Sequence, residues 1–197
     1  MHLTTSNLLL ASASPRRSDL LQQMGVGFTV LAVDIDESRH GDEPPVDYVS
    51  RLAMEKARAG YLRQEAKLPS LGADTIVVFD GQIFGKPQDQ EQAATMLMTL
   101  SGKLHSVITA VAVDNGTSTE IRISETRVKF RTITESECLT YWNTGEPEGK
   151  AGAYAIQGRG GVFVEKLEGS YSGVVGLPLA ETEQLLKLFS VPLWNNS

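Results

Sequence analysis

Near the start of the chain, the stretch Ala11 to Gly25, ASASPRRSDLLQQMG, follows an apolar run with a serine, a proline and two arginines. The unpaired N–H groups of a helix start carry partial positive charge and favour an anion, so adjacent arginines on a first turn call for something negative nearby. Ser14 suits the N-cap and Pro15 the first helical position. Arg16 and Arg17 then stand where backbone donors and guanidinium forks converge on one small volume, which suits a phosphate. In the competing reading both arginines are solvated or pair with acids such as Asp19.

A second stretch, LGADTIVVFDGQIFGKP, runs from Leu71 to Pro87. Asp74 enters a strand that is otherwise continuously apolar, and a carboxylate there needs a cation, a metal or hydrogen bonds. A two-residue turn at Asp80-Gly81 faces Phe79 with Gln82, and counting back sets Lys86 opposite Thr75, one position from Asp74. A bulge would bring it onto the Asp74 face. A structural ion pair at a strand end is the plain alternative. Lys56 falls on the apolar stripe Val49, Leu52, Ala53, Ala57 of a long helix; a lone lysine there snorkels to the edge, but with Arg16, Arg17 and Lys86 it makes a fourth cation for one cleft. The loop DIDES, Asp34 to Ser38, offers Asp34, Asp36 and Glu37 to a hard divalent ion, which takes one or two carboxylates plus phosphates and waters. Acidic loops are also commonly just solvated.

Other chemistries are excluded by spacing. GQIFGKP has one residue too few between its glycines for a P-loop, and Pro87 stands where that motif needs a hydroxyl. GRGG at Gly158 to Gly161 lacks the dinucleotide fingerprint. His2, His40 and His105 have no ligand spacing, and nucleophile elbows and HExxH signatures are missing. The single cysteine, Cys138, permits neither an internal disulfide nor a multi-cysteine metal site and reads as a semi-buried helix residue. A formal net charge of −6, from 24 acids against 18 bases, argues against broad nucleic-acid binding. No eighteen-residue apolar run spans a bilayer, and the polar segment Met1 to Asn7 reads as neither anchor nor secretory signal, so a cytoplasmic location is expected.

The elements that must position these residues alternate. Periodicity predicts strands at Leu8–Ser12, Phe28–Val33, Ala73–Phe79, Gln82–Phe84, Ser106–Asp114, a polar strand from the Asn115-Gly116 turn to Phe130, and a short one at Gly161–Lys166. Helices are predicted over Pro15–Met24, Val46 to about Gln64, about Asp89 to Leu100, a Thr134-capped segment through Trp142, and about Leu179 to Phe189, with a frayed tail after Pro192. The pattern is mixed α/β with parallel crossovers and antiparallel hairpins. No linker divides residues 1–197, so one domain is expected. Exposed Tyr141 and Trp142 would leave a homodimer open.

Taken in order, SASPRR, DIDE, LAMEKA, GADTIV, GKP, LSGKLHSVITAV, KAGAYAIQG and VVGLPL resemble the Maf family of nucleoside triphosphate pyrophosphatases over nearly the whole chain. The resemblance implies an elongated α/β fold related to the inosine triphosphate pyrophosphatases, a mixed twisted sheet flanked by helices, with two lobes and a cleft. It implies Asp74 as general base, Arg16, Arg17, Lys56 and Lys86 on the triphosphate with Ser14 beside them, and Glu37 helping with a divalent metal, Mg2+ or Mn2+. One branch of the family hydrolyses dTTP and UTP, and its specificity positions resemble Arg16, Thr75 and Gln157; the sister branch acts on 7-methyl-GTP. Gln157, with one acceptor and two donors, can read the O4 and N3–H edge of uracil or thymine. The partner expected is a small nucleoside triphosphate, with no nucleic acid and no membrane. Two alternatives stand beside it: a pyrophosphatase for other modified nucleotides such as 7-methyl-GTP, and a non-catalytic nucleotide-binding regulator, since the family is linked by name to inhibition of septum formation.

Overall fold

Short apolar runs become strands here wherever a neighbour offers a ladder, and the neighbours decide where each run stops. The computed structural model describes residues 6–194. Most of the polar segment read for a leader, and the last three residues of the tail read as frayed, lie outside the described residues. The elements are β1 (Leu8–Leu10), α1 (Pro15–Gln23), β2 (Phe28–Val30), α2 (Pro45–Arg63), β3 (Ser70–Phe79), β4 (Gln82–Phe84), α3 (Gln90–Leu100), β5 (Leu104–Asp114), β6 (Thr119–Phe130), α4 (Glu135–Trp142), β7 (Val164–Glu168), α5 (Tyr171–Val175) and α6 (Leu179–Leu188). The seven strands form a mixed sheet in the order β2-β1-β3-β5-β6-β7, with β4 on β3. This is the mixed α/β architecture that the sequence pattern predicts, with the flanking helices that the resemblance implies.

The chain divides into two units, the first comprising residues up to Asp74, Thr109–Ser124 and the segment from Gly176, the second Thr75–Ile108 and Glu125–Val175. In the first, β1 runs parallel to β2 (Leu8↔Phe28, Leu10↔Val30) and to β3 (Leu9↔Ser70, Leu10↔Leu71). Both strands end earlier than their apolar runs: the Leu31 N–H still reaches the Leu10 carbonyl at 3.0 Å and the Ala11 N–H the Leu71 carbonyl at 2.8 Å, and the ladder stops there. The same pairing extends β3 backwards to Ser70, three residues before the predicted start. α1 buries Leu20 and Leu21, with its C-cap Met24 buried beside them, and α2 buries Val49, Leu52, Ala53, Lys56, Ala57 and Gly60.

α2 lies unusually close to β3. A Cβ built on Gly72 would come within 2.3 Å of the Ala57 amide nitrogen and 2.4 Å of the Ala53 carbonyl oxygen, both backbone atoms. Gly72→Ala should therefore push helix and strand apart and lower stability by roughly 2–3 kcal/mol, the upper part of the range for overpacking, read as a lower urea midpoint with unchanged m-value.

In the second unit β3 and β4 pair as an antiparallel hairpin (Phe79↔Gln82, Val77↔Phe84) through Asp80 and Gly81, whose φ values of 51° and 72° give the turn that follows strand twist. Asp89 caps α3 by accepting from the Gln92 N–H at 2.8 Å, and Thr134 and Glu137 form a reciprocal capping box on α4. The core gathers Phe130, Phe163, Tyr154, Tyr141 and His105, with edge-on ring contacts between Phe130 and both His105 and Tyr154 at 4.8 Å. Cys138 is buried on α4.

Two expectations need correction. Tyr141 is only 5% exposed and hydrogen-bonds Glu146 at 2.7 Å, so of the aromatic pair read as a dimer contact only the half-buried Trp142 reaches the surface. The predicted strand at Gly161–Lys166 is a 3-10 helix at Arg159–Phe163 followed by β7, because the N–H groups of Arg159 and Gly160 are bound by the Glu146 carboxylate and curl the chain before it can extend. α5, in the glycine-crowded stretch, was not predicted; the Ser170 hydroxyl accepts from the Gly173 N–H at 3.0 Å across its first turn.

Candidate active site

β1 ends at Leu10 and the chain turns through Ser12 into α1. The Ser12 hydroxyl closes this turn, accepting from the Ser14 N–H at 3.2 Å and from Arg17 Nη1 at 3.1 Å. Arg17 Nε also donates to the Gly176 carbonyl at 2.9 Å, so this guanidinium is held by two neutral acceptors. Ser14 occupies the N-cap, but its side chain makes no capping hydrogen bond and no acid stands in the first turn. The helix start keeps its positive character, as an anion site requires. Burial pushes the Arg16 guanidinium below its ordinary value. Burial does the same to Arg17, with the charges of Asp74 and Glu37 opposing it and that of Arg16 reinforcing it.

The carboxylates meet on Lys56. Its Nζ lies 2.7 Å from Asp74 Oδ1 and 2.7 Å from Glu37 Oε1, and Lys56 is 8% exposed. The lysine on the apolar stripe of α2 has an electrostatic reason to be there: it offsets two acids, one from β3 and one from the loop after β2. The sequence places Lys86 within reach of Asp74; the cation bonded to Asp74 Oδ1 at 2.7 Å is Lys56.

Glu37 sits on a loop without regular structure, and α2 ties that loop down. The Tyr48 hydroxyl donates to the Glu37 carbonyl at 2.8 Å, and Arg51 Nη2 to the Ser38 carbonyl at 2.9 Å. Arg51 also grips Glu43 through Nε and Nη2 at 2.8 and 2.9 Å, and this hydrogen-bonded pairing holds the Glu43 carboxyl at about 2. Burial, then the charges of Asp74 and Glu37, push the Tyr48 phenol above its usual value. Ser12, Tyr48, Arg51 and Glu43 escaped the sequence reading. Only the i,i+4 spacing of Arg51 and Glu55 hinted at an ion pair there, and that pair is the longest of the Arg51 contacts, at 3.4 Å.

The remaining candidates lie in the second unit. Thr75 follows Asp74 on β3 and is half-buried. Lys86 is exposed just beyond β4; the ladder ends at Val77↔Phe84, and the Gly85 carbonyl accepts from the Gly152 N–H at 3.1 Å instead of extending the strand. The pairing that would set Lys86 opposite Thr75 is therefore not part of the ladder. Gln157 is exposed in the turn between Ile156 and Gly158.

Among the described residues no group of three or more His, Cys, Asp or Glu side chains is arranged to hold a metal ion. Asp36 is used within its loop, where Oδ1 accepts from the Ser38 N–H at 2.9 Å. Glu37 and Asp74, converging on one cation, form a two-carboxylate set of hard oxygens, which fits an ion that completes its shell with phosphate and water. No helix among the described residues is long and apolar enough to cross a membrane.

A parallel β-loop-α start with paired arginines, next to carboxylates bridged by a lysine, defines an α/β protein suited to a phosphorylated ligand. The pattern describing Maf-like proteins matches residues 7–189, and the chain belongs to the Maf family. It is similar to the dTTP/UTP pyrophosphatase of Saccharophagus degradans, 51% identical over 98% of this chain and 93% of the relative. It is likewise similar to the proteins of that name from Aromatoleum aromaticum, 49% identical over 95% of this chain and 98% of the relative, and Pseudoalteromonas translucida, 50% identical over 94% and 98%.

Proposed function

We propose that this chain hydrolyses nucleoside triphosphates, dTTP and UTP foremost, to the monophosphate and pyrophosphate. The observation that carries the reading is the Lys56 bridge from Asp74 to Glu37, in the same unit as the arginine-bearing start of α1. Near-full-length identity to relatives named dTTP/UTP pyrophosphatase supports the substrate class. A cytoplasmic location suits such substrates.

A triphosphate brings about four negative charges near neutral pH, and these need several preorganised cations. Arg16 and Arg17 donate to phosphate oxygens, with the α1 start and Ser14 beside them, and Lys56 and Lys86 add charge. Asp74 orients a water and accepts its proton as the water oxygen bonds to the α-phosphorus. The bond from that phosphorus to the bridging oxygen breaks, and pyrophosphate leaves with the electron pair. Glu37 and Asp74, with phosphate oxygens, would hold Mg2+ or Mn2+, which supplies charge withdrawal from the reacting phosphate. Arg16, Thr75 and Gln157 select the nucleotide. Gln157 offers an N–H to O4 and its oxygen to N3–H, a pairing that cytosine reverses at both atoms.

Turnover of a panel of triphosphates with Mg2+ or Mn2+, reading pyrophosphate and monophosphate separately, tests this. UTP and dTTP should exceed CTP and 7-methyl-GTP in kcat/KM by roughly a hundredfold or more, the discrimination available when a wrong base leaves polar groups unpaired. Release of orthophosphate would contradict attack at the α-phosphorus, and tight binding without turnover would mark a nucleotide-binding regulator.

A further inference from the structure

The glycine cluster GRGG, which fits no dinucleotide fingerprint, surrounds a carboxylate. Glu146 Oε1 accepts from the Gly160 N–H at 2.9 Å and from the Tyr141 hydroxyl at 2.7 Å, while Oε2 accepts from the Arg159 N–H at 3.0 Å. The Tyr141 oxygen in turn accepts from the Ala155 N–H at 3.1 Å. Backbone on both sides of Gln157, at 155 and at 159–160, is thus fastened to one Glu-Tyr pair. The glycines make room for it. A Cβ on Gly158 would stand 2.3 Å from Glu146 Oε2, and one on Gly160 would stand 2.5 Å from the Tyr141 oxygen.

The pair is held as firmly as the loop it holds. Tyr141 lies edge-on to Phe163 with ring centroids 5.1 Å apart, and α4 carries it on a capped, buried face. Burial pushes the Glu146 carboxyl up, but the hydrogen bonds from Gly160, Tyr141 and Arg159 outweigh it and leave the group below its ordinary value. Burial and the bond to Glu146 raise the Tyr141 phenol. A carboxylate that accepts three hydrogen bonds, two of them from consecutive backbone amides, fixes the path of the chain there through bonds stronger than neutral ones.

We propose that Glu146 and Tyr141 are positioning residues for base selection: they set the conformation of the Ala155–Gly160 turn and through it the place of the Gln157 amide. This rests on the reading of Gln157 as the base-recognising residue. Glu146 touches neither base nor phosphate in this role, so it acts on discrimination among nucleotides and not on the hydrolytic step.

The test compares Glu146→Gln, Tyr141→Phe and Gln157→Ala on UTP and CTP, together with inhibition by inorganic pyrophosphate and a thermal melt of each variant. Glu146→Gln keeps the shape but offers one acceptor oxygen where two were used. It should lower kcat/KM for UTP by about tenfold to a hundredfold, the scale of loss from a displacement of about an ångström, mainly through KM. The UTP-to-CTP ratio should fall with it, while the pyrophosphate inhibition constant stays within about twofold. Tyr141→Phe should move the same quantities in the same direction by less. If Gln157→Ala lowers the UTP-to-CTP ratio but Glu146→Gln and Tyr141→Phe leave it intact, the positioning role is wrong while the base reading stands. If Gln157→Ala leaves the ratio unchanged, the base reading itself fails. Should Glu146→Gln not fold, Tyr141→Phe decides: an unchanged ratio in a stable variant overturns the inference.

Discussion

Asp74→Asn should reduce release of pyrophosphate from UTP by about a hundredfold to ten-thousandfold, the span attributable to a positioned acid or base, with KM changed little. The substitution keeps the volume and one oxygen acceptor, and Lys56 retains Glu37 at 2.7 Å, so the local structure survives. What is lost is the ability to take a proton from water. A melting temperature close to the parent, together with the collapse in kcat, would separate chemistry from folding. An Asn variant that still turned over at the parental rate would sink Asp74 as the base.

Lys56→Met should damage stability as well as activity, because it fails on two counts. Methionine follows the same path along α2, so packing is nearly kept, but Asp74 and Glu37 lose their shared cation while lying no more than twice the 2.7 Å bond length apart through it. Removing one partner of an enclosed pair strands the others. Here the penalty is about 1–3 kcal/mol, below the cost for a fully buried pair because the Glu37 side chain is 44% exposed. The urea midpoint should fall accordingly. Activity should fall further than stability explains, by roughly a hundredfold or more, since the phosphate cation is lost as well. Measuring kcat/KM well below the melting temperature distinguishes the two losses.

The parts of this protein legible in its sequence are those that local chemistry decides. The Asp80-Gly81 hairpin, the Thr134 cap and the helix start at Pro15 follow from turn and cap preferences within four residues. The Lys56 anomaly was visible as a charge on an apolar stripe, but its partners were not: Glu37 and Asp74 are 19 residues before and 18 residues after it, brought in by the close approach of α2 to β3 at Gly72 and by the loop tied to α2 through Tyr48 and Arg51. The register Phe79↔Gln82 from which Lys86 is counted is the one formed, but its ladder stops at Val77↔Phe84, and a hairpin can be extrapolated only while its ladder lasts. The curl at Arg159–Phe163 was illegible because Glu146, 13 and 14 residues from the amides it binds, claims the donors a strand would have used.

Gly72 stands two residues before Asp74, hence on the same side of β3, and the backbone it lets in is that of Ala53 and Ala57, the flanks of Lys56. A vacant side-chain position thus works as a gauge: it sets how far an ammonium must stretch from helix to strand. Any bulkier residue would widen that gap, and the electrostatic clasp would be mistuned by a change that touches no charged atom.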